Sequence, residues 1–171
     1  MAISAVANMG HAATETTADT TVNIVAGIGA PPYGDFGPDG KAVVSYEVDI
    51  LKAIAEDAGL TLNFTVMDFD SMFPAVDSGR ADIVSFGIID RKSRQQKYDI
   101  LNNAKDAAGI IAAPGLANEI KSIIDVCGHS LAASNGSSFV TFWDEQSIKC
   151  VAEGKEAINV LTFKNEAVGF N

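Results

Sequence analysis

The segment DFDSMFPAVDSGRADIVSFGIIDRKSRQQKYD, residues 68–99, decides how this chain folds. It predicts a short helix that ends at Gly79, a buried strand, a turn, and a basic helix that opens with Arg94. In open α/β sheets, ligands bind at the carboxyl ends of strands, where helix N-termini present unpaired N–H groups. An arginine just beyond such a strand can bind a carboxylate through two parallel hydrogen bonds. Arg94 is therefore a candidate ligand anchor, and the alternative is a solvated charge on a basic helix.

The segments on the amino-terminal side of this stretch add strands and a helix. An apolar run at 22–29 predicts the first strand, and the prolines and glycines of 30–40 predict a loop. Apolar residues at helical spacing predict a helix over 47–58, with Gly59 as its C-cap. Alternating β-formers over 60–67 predict the next strand. This alternation of strands and helices predicts an α/β fold with a largely parallel sheet.

The carboxyl-terminal part of the chain predicts a second, smaller lobe. A strand is predicted at 108–115, where a proline-glycine pair ends it, and we place the lobe boundary there. Lobe one then comprises 22–112 and a partial lobe two comprises 113–171. The elements predicted in lobe two are strands near 130–134 and 158–163 and a helix at 139–150.

Residues 1–21 differ in composition from the rest of the chain. Small apolar residues give way to a polar tract rich in Thr and Ala, and Gly-His-Ala before Ala13 is typical of a signal-peptide cleavage site. A basic start is missing and the apolar stretch is short. Two interpretations therefore stay open: the remnant of a secretory signal whose start lies upstream, or a disordered leader.

The overall composition limits the class of partner. The 171 residues carry a formal net charge of -10 and are 47% hydrophobic. Such a composition suits a folded domain and argues against binding the phosphate backbone of nucleic acids. No apolar run approaches the roughly 20 residues that a membrane-spanning helix needs.

The chain has two cysteines, Cys127 and Cys150, which allow two interpretations. In an intracellular protein they would be separate buried thiols. In an exported protein they would pair in a disulfide that stabilises the fold by about 3 kcal/mol. Because no Cys-x-x-Cys spacing occurs and His11 and His129 stand alone, we predict no metal site and no cofactor.

Several motifs in a fixed order give the chain a resemblance to a known family. They are PPYGDFGPDGK at 31–41, SYEVDILKAIAEDAG at 45–59, DFDSMFPAVDSGRADIV at 68–84, RQQKYD at 94–99 and DVCGHSLAASNGSSF at 125–139. Over roughly residues 22–165 the chain resembles the extracytoplasmic solute-binding proteins of polar amino-acid ABC importers, bacterial solute-binding protein family 3.

The resemblance implies a periplasmic-binding-protein-like fold of two α/β lobes, with lobe one nearly complete and lobe two partial. It implies binding without catalysis: an amino acid or similar small carboxylate is held in the cleft between the lobes, and closure presents a shape to an ABC permease. It places the protein outside the cytoplasm, in the periplasm or at the cell surface. It also implies a disulfide between Cys127 and Cys150, as in one subgroup of the family.

The resemblance assigns ligand contacts at the end of the central strand of lobe one. Arg94 would bind the α-carboxylate of the ligand. Gly87 and Ile89 would contribute backbone groups, and their alternative role is a tight exit from the strand into a turn.

Further contacts are expected on both sides of the cleft. Phe69 would line the cleft or belong to the core of lobe one. Tyr33 would form a wall of the cleft or cover that core. Ser137 and Ser138 would offer amide and hydroxyl donors at a helix N-terminus, or would simply cap that helix.

Three residues are interpreted as structural. Glu47 and Asp49 suit the positive end of the first helix dipole. Trp143 lies on an apolar helix face, so we expect it in the core of lobe two.

The chain also departs from the family pattern. Ile89 stands where the family has Thr or Ser, Ser45 stands where it has Gly, and aromatic residues are replaced by Ala30 and Ala104. Two alternatives to transport therefore stay open: a truncated or decayed member that binds little or nothing, and a cleft enzyme of the cyclohexadienyl dehydratase type. A partial lobe two would also expose unpaired strand edges, which predicts possible self-association.

Overall fold

The computed structural model describes residues 20–107 and 109–164. Its strands are β1 (Thr21–Ala26), β2 (Asp35–Phe36), β3 (Val43–Val44), β4 (Thr61–Val66), β5 (Ile83–Ser85), β6 (Ser130–Ser134) and β7 (Asn159–Phe163). Its helices are α1 (Tyr46–Ala58), α2 (Phe69–Asp77), α3 (Lys92–Gln95), a 3-10 turn (Ile123–Val126) and α4 (Ser138–Ala152).

Lobe one is built on a three-stranded parallel sheet in the order β4-β1-β5. Thr21 aligns with Thr61 at one end of the β1–β4 pair, and Ala26 aligns with Val66 at the other. The central strand is the most buried, since its last three residues are 1% exposed or less. The parallel α/β sheet predicted from the sequence is confirmed.

Local signals set both ends of α1. The Ser45 hydroxyl accepts a hydrogen bond from the Val48 backbone N–H at 3.0 Å, so this residue is the N-cap. Gly59 ends the helix with φ of +66°, a conformation that favours glycine. The serine that departs from the family pattern therefore has a structural role, and the predicted C-cap is confirmed.

Each lobe has its own apolar core. In lobe one, α2 packs on the sheet through Met72 and Ala75, which are both fully buried against Val25. In lobe two, α4 packs on the parallel pair β6–β7 through Trp143, as expected from the sequence. The Cys127–Cys150 disulfide is present and joins the 3-10 turn to the last part of α4.

Two predicted elements differ in the structure. The strand predicted at 108–115 is wrong, because no strand forms over 109–115, and Ile111 is 82% exposed. An apolar run becomes a strand only where a neighbouring strand can pair with it. The basic helix begins at Lys92 rather than Arg94 and makes a single turn.

The remaining predictions concern the amino terminus, membrane-spanning helices and the lobes. Of the leader expected at 1–21, residues 1–19 lie outside the described residues. Strand β1 already begins at Thr21. The first strand ends at Ala26, earlier than the predicted 29. No helix within the described ranges is long and apolar enough to cross a membrane. The boundary placed between residues 112 and 113 and the self-association of strand edges stay predictions.

Candidate functional site

The candidate site lies at the carboxyl ends of the parallel strands. Because β1, β4 and β5 run in the same direction, the segments that follow them meet at one edge of the sheet. The segment after β4 starts α2 at Phe69, and the segment after β5 leads through Gly87 to α3. Lobe two approaches this edge with the turn between β6 and α4, which contains Gly136.

Arg94 is held against aromatic rings rather than extended into bulk solvent. Its Cζ lies 4.9 Å from the ring centroid of Phe73 and 5.8 Å from that of Phe69. One guanidinium nitrogen, Nη1, donates to the carbonyl oxygen of Ile89 at 2.8 Å. Burial, and secondarily the charge of Arg91, lowers the pKa of Arg94 from its ordinary value, but a guanidinium stays charged in proteins.

A cavity of about 160 Å³ separates this arginine from lobe two. Its lining residues are Arg91, Ser93, Arg94, Gly136, Ser137, Ser138 and Thr141. The structure therefore brings together three of the predicted contacts, Arg94, Ser137 and Ser138, on opposite walls of one cavity.

The side-chain hydroxyl of Ser137 lies at the start of α4 but does not cap the helix. Ser137 is the N-cap residue, but its side chain makes no capping hydrogen bond. Its Oγ is buried and has no hydrogen-bond partner among the described residues. The helix-capping alternative for this side chain is therefore wrong. An unpaired buried hydroxyl costs free energy, and a ligand could supply its missing partner.

The two lobes touch directly beside this cavity. Asn135 Nδ2 donates to Asp70 Oδ2 at 2.9 Å. At Gly136, with φ of +72°, an added Cβ would lie 3.4 Å from Asp70 and 3.9 Å from the ring of Phe69. The left-handed backbone favours glycine at this position, and the added Cβ would make only ordinary van der Waals contact with the other lobe.

A larger cavity of about 510 Å³ lies on the other side of Phe69. Its lining residues are Gly27, Ile28, Val66, Met67, Asp68, Phe69, Ser71, Arg80, Phe86, Ser134 and Lys164. Ser134 is 8% exposed, and its Oγ has no hydrogen-bond partner in the described part of the chain. Phe69 thus packs against the core of lobe one, as the alternative held, and also lines this cavity.

Tyr33 and Gly87 contact each other, and neither residue lines either of the two cavities. A Cβ at Gly87 would lie 2.8 Å from the Tyr33 ring, so only glycine fits beneath it. The Tyr33 hydroxyl donates to the Asp106 carboxylate, which, together with burial, raises the pKa of Tyr33 to about 12. Tyr33 therefore ties the first loop to the segment that leaves lobe one.

Gly87 and Ile89 each have one backbone group bonded within the protein, and neither is the group that the resemblance assigns to the ligand, which is a carbonyl near Gly87 and the N–H of Ile89. The Gly87 N–H donates to Glu47 Oε2 at 3.2 Å, and the Ile89 carbonyl accepts the Arg94 bond. The Ile89 side chain is 40% exposed. These two residues position Arg94 and the turn before it.

Sequence reasoning missed the role of Glu47. This carboxylate is 8% exposed and accepts hydrogen bonds from Ser85 Oγ at 3.0 Å and from the Gly87 N–H. Its other oxygen accepts a bond from Asn103 Nδ2 at 3.3 Å. Its position in the first turn of α1 concealed this role, since an acid there also suits the helix dipole.

Other residues of the site also went unrecognised. Arg91 and Thr141 line the smaller cavity, and Asp70 and Asn135 join the lobes. The three cations in RKSR, residues 91–94, offered a signal for Arg91. Among the described residues, no group of three or more His, Cys, Asp or Glu side chains could hold a metal ion.

The fold and this interlobe site define a class, the two-lobed solute-binding proteins. The sequence profile of the bacterial extracellular solute-binding proteins, family 3, matches residues 22–165. The chain belongs to this family.

Named relatives agree with this membership. The chain is 29% identical over 140 residues to the arginine-binding protein ArgT of Corynebacterium glutamicum, covering 78% of this chain and 44% of ArgT. It is 28% identical over 108 residues to the L-cystine-binding protein TcyA of Bacillus subtilis, covering 63% and 40%. The chain thus spans less than half the length of these relatives.

Solved structures give the same fold. An ancestral arginine-binding protein bound to arginine superposes with a TM-score of 0.66 at 27% identity, over 88% of this chain and 63% of that one. An ancestral amino-acid-binding precursor of cyclohexadienyl dehydratase superposes with a TM-score of 0.69 at 24% identity, over 88% and 64%. The second likeness concerns the fold alone.

Proposed function

We propose that this chain is the substrate-binding component of an ABC importer and that it binds an amino acid or similar small carboxylate between its lobes. The observation that carries the proposal is the position of Arg94. Its guanidinium is half-buried on two aromatic rings and faces hydroxyls of lobe two across a cavity of about 160 Å³. The named relatives are binding proteins, and we propose the same non-enzymatic role here.

The cavity offers donors for a carboxylate from both lobes. Arg94 uses one nitrogen for the Ile89 carbonyl, and its remaining N–H groups can form the paired bonds that a carboxylate accepts. The 15-residue helix α4 begins at the opposite wall, and its positive end favours an anion. Charge-assisted bonds of this kind contribute about 1.5–3 kcal/mol each.

A carboxylate in this position would join the two lobes. Contacts made with both walls exist only when the lobes are together, so the ligand would shift the population toward the closed form. The membrane-embedded permease would then recognise that form on the extracytoplasmic side. The Asn135–Asp70 hydrogen bond, 2.9 Å long and beside the cavity, supports this proposal.

Isothermal titration of the 171-residue chain against the protein amino acids tests the proposal. We expect at least one to bind, and we expect Arg94→Gln to weaken that binding at least 100-fold. Lys92→Gln, which removes a charge from an exposed residue of the same turn, is the matched control and should change little. Absence of any heat or thermal shift with every amino acid would instead favour a member of the family that has lost binding.

A further inference from the structure

The smaller cavity contains a second guanidinium that the proposed carboxylate contact does not use. Arg91 precedes α3 and lines the cavity together with Arg94. Neither arginine forms an ion pair within the described ranges. The two charges are close enough to interact, because Arg91 contributes to the lowered pKa of Arg94.

The protein does not neutralise these charges inside the cavity. None of the lining residues is acidic. The nearby carboxylate of Asp90 accepts hydrogen bonds from Gln95 at 2.8 Å and from Asn102 at 3.0 Å. The Asp70 carboxylate is bonded to Asn135. The chain has a net charge of -10, but two arginines without an ion pair make this cavity locally positive.

The larger cavity is also lined by more cationic than anionic side chains. Arg80 and Lys164 line it, against one carboxylate, that of Asp68. A ligand that extends past Phe69 would therefore meet further positive charge. A cationic ligand side chain would meet repulsion from both directions, which is how a site excludes a wrong ligand.

We infer that the cavity recognises a small acid with two carboxylates, of the glutamate or aspartate type, with one carboxylate on Arg94 and the other on Arg91. This inference rests on the proposed function and names its ligand class. One carboxylate pairs with one guanidinium, which leaves Arg91, partly exposed on the cavity wall, available to a second carboxylate. The unpartnered hydroxyl of Ser137 is available to the same ligand.

The test compares ligands that differ in charge but hardly in shape. Titration of the 171-residue chain with glutamate and glutamine, and with aspartate and asparagine, isolates the second carboxylate. We expect the acid of the preferred pair to bind at least tenfold more tightly than its amide. We also expect this preference to shrink as salt is added, since the contact is electrostatic.

Variants assign the preference to its residue. Arg91→Gln should bring the acid-to-amide ratio close to one, and Arg91→Lys should retain part of it. Lys92→Gln, which removes an equal charge one residue away, should leave the ratio unchanged.

Each alternative outcome has a distinct meaning. Equal or tighter binding of glutamine, asparagine or arginine would overturn the acidic ligand class while the amino-acid-binding function stands. A preference for acids that persists in Arg91→Gln would overturn the assignment of Arg91. If no amino acid binds at all, the proposed function fails, and the ligand class fails with it.

Discussion

Replacing Glu47 with alanine separates two explanations for an acid in the first turn of a helix. If the carboxylate acted through the helix dipole, Asp49 in the same turn would matter equally. In the structure, Glu47 instead accepts bonds from Ser85 and from the Gly87 N–H beneath the site. Removing it leaves these donors without their acceptor, in a place where Glu47 itself is 8% exposed.

The size of the effect follows from those donors. Each buried donor left unsatisfied costs about 1–3 kcal/mol, so we expect Glu47→Ala to destabilise the protein by about 3 kcal/mol. For a chain of this size that corresponds to a fall in the melting temperature of roughly 6–12 °C. Asp49→Ala, at an exposed position, should cost no more than about 1 kcal/mol.

Urea unfolding followed by circular dichroism measures both free energies of unfolding. The same variants should be titrated with the preferred amino acid, because the Gly87 turn precedes Arg94 and a loosened turn should also weaken binding. A Glu47→Ala protein that is no less stable than Asp49→Ala would refute the structural role assigned to this carboxylate. The dipole interpretation would then be sufficient.

Three further predictions concern the rest of the molecule. Gly136→Ala should lower the free energy of unfolding, because its φ of +72° disfavours alanine, and should change ligand binding little, because the added Cβ would make only van der Waals contact with Asp70; Gly154→Ala, at φ of +75° with no neighbour within 4 Å, is the matched comparison. Reducing the disulfide of lobe two should lower the free energy of unfolding by about 3 kcal/mol in chemical denaturation. Hydrogen bonds, the strongest from Lys97, hold the pKa of Asp77 below its usual value. The stability that this carboxylate contributes is present above about pH 4 and is lost on acidification. Thermal melts of Asp77→Asn should therefore depend less on acid pH.

The elements with strong local signals could be predicted from the sequence. Helix α1 has apolar residues at helical spacing and ends before Gly59 as predicted, with Val48 and Ala55 buried although Ile54 is 55% exposed. The parallel sheet followed from the alternation of strands and helices. The segment after 107 had only an apolar run, and without a pairing strand its residues stay irregular, with Ile111 largely exposed.

The site was predictable only in part. The motif around Arg94 indicated an anchor, and the turn before α4 indicated its partners across the cavity. Which groups are already occupied depends on tertiary contacts that no local pattern encodes. The Gly87 N–H is bonded to Glu47 and the Ile89 carbonyl to Arg94, and neither contact could be predicted from the sequence.

Helix α4 connects a covalent constraint to the recognition surface. The disulfide holds the helix at Cys150, and the cavity wall lies at Ser138, a distance of roughly 18 Å along the axis at 1.5 Å per residue. A helix is stiff over that span, so the position of its carboxyl-terminal end influences the position of the hydroxyls at its amino-terminal end. Breaking the disulfide would remove one constraint on this helix and leave its packing through Trp143 as the other, so an oxidising environment helps to fix the position of the cavity wall.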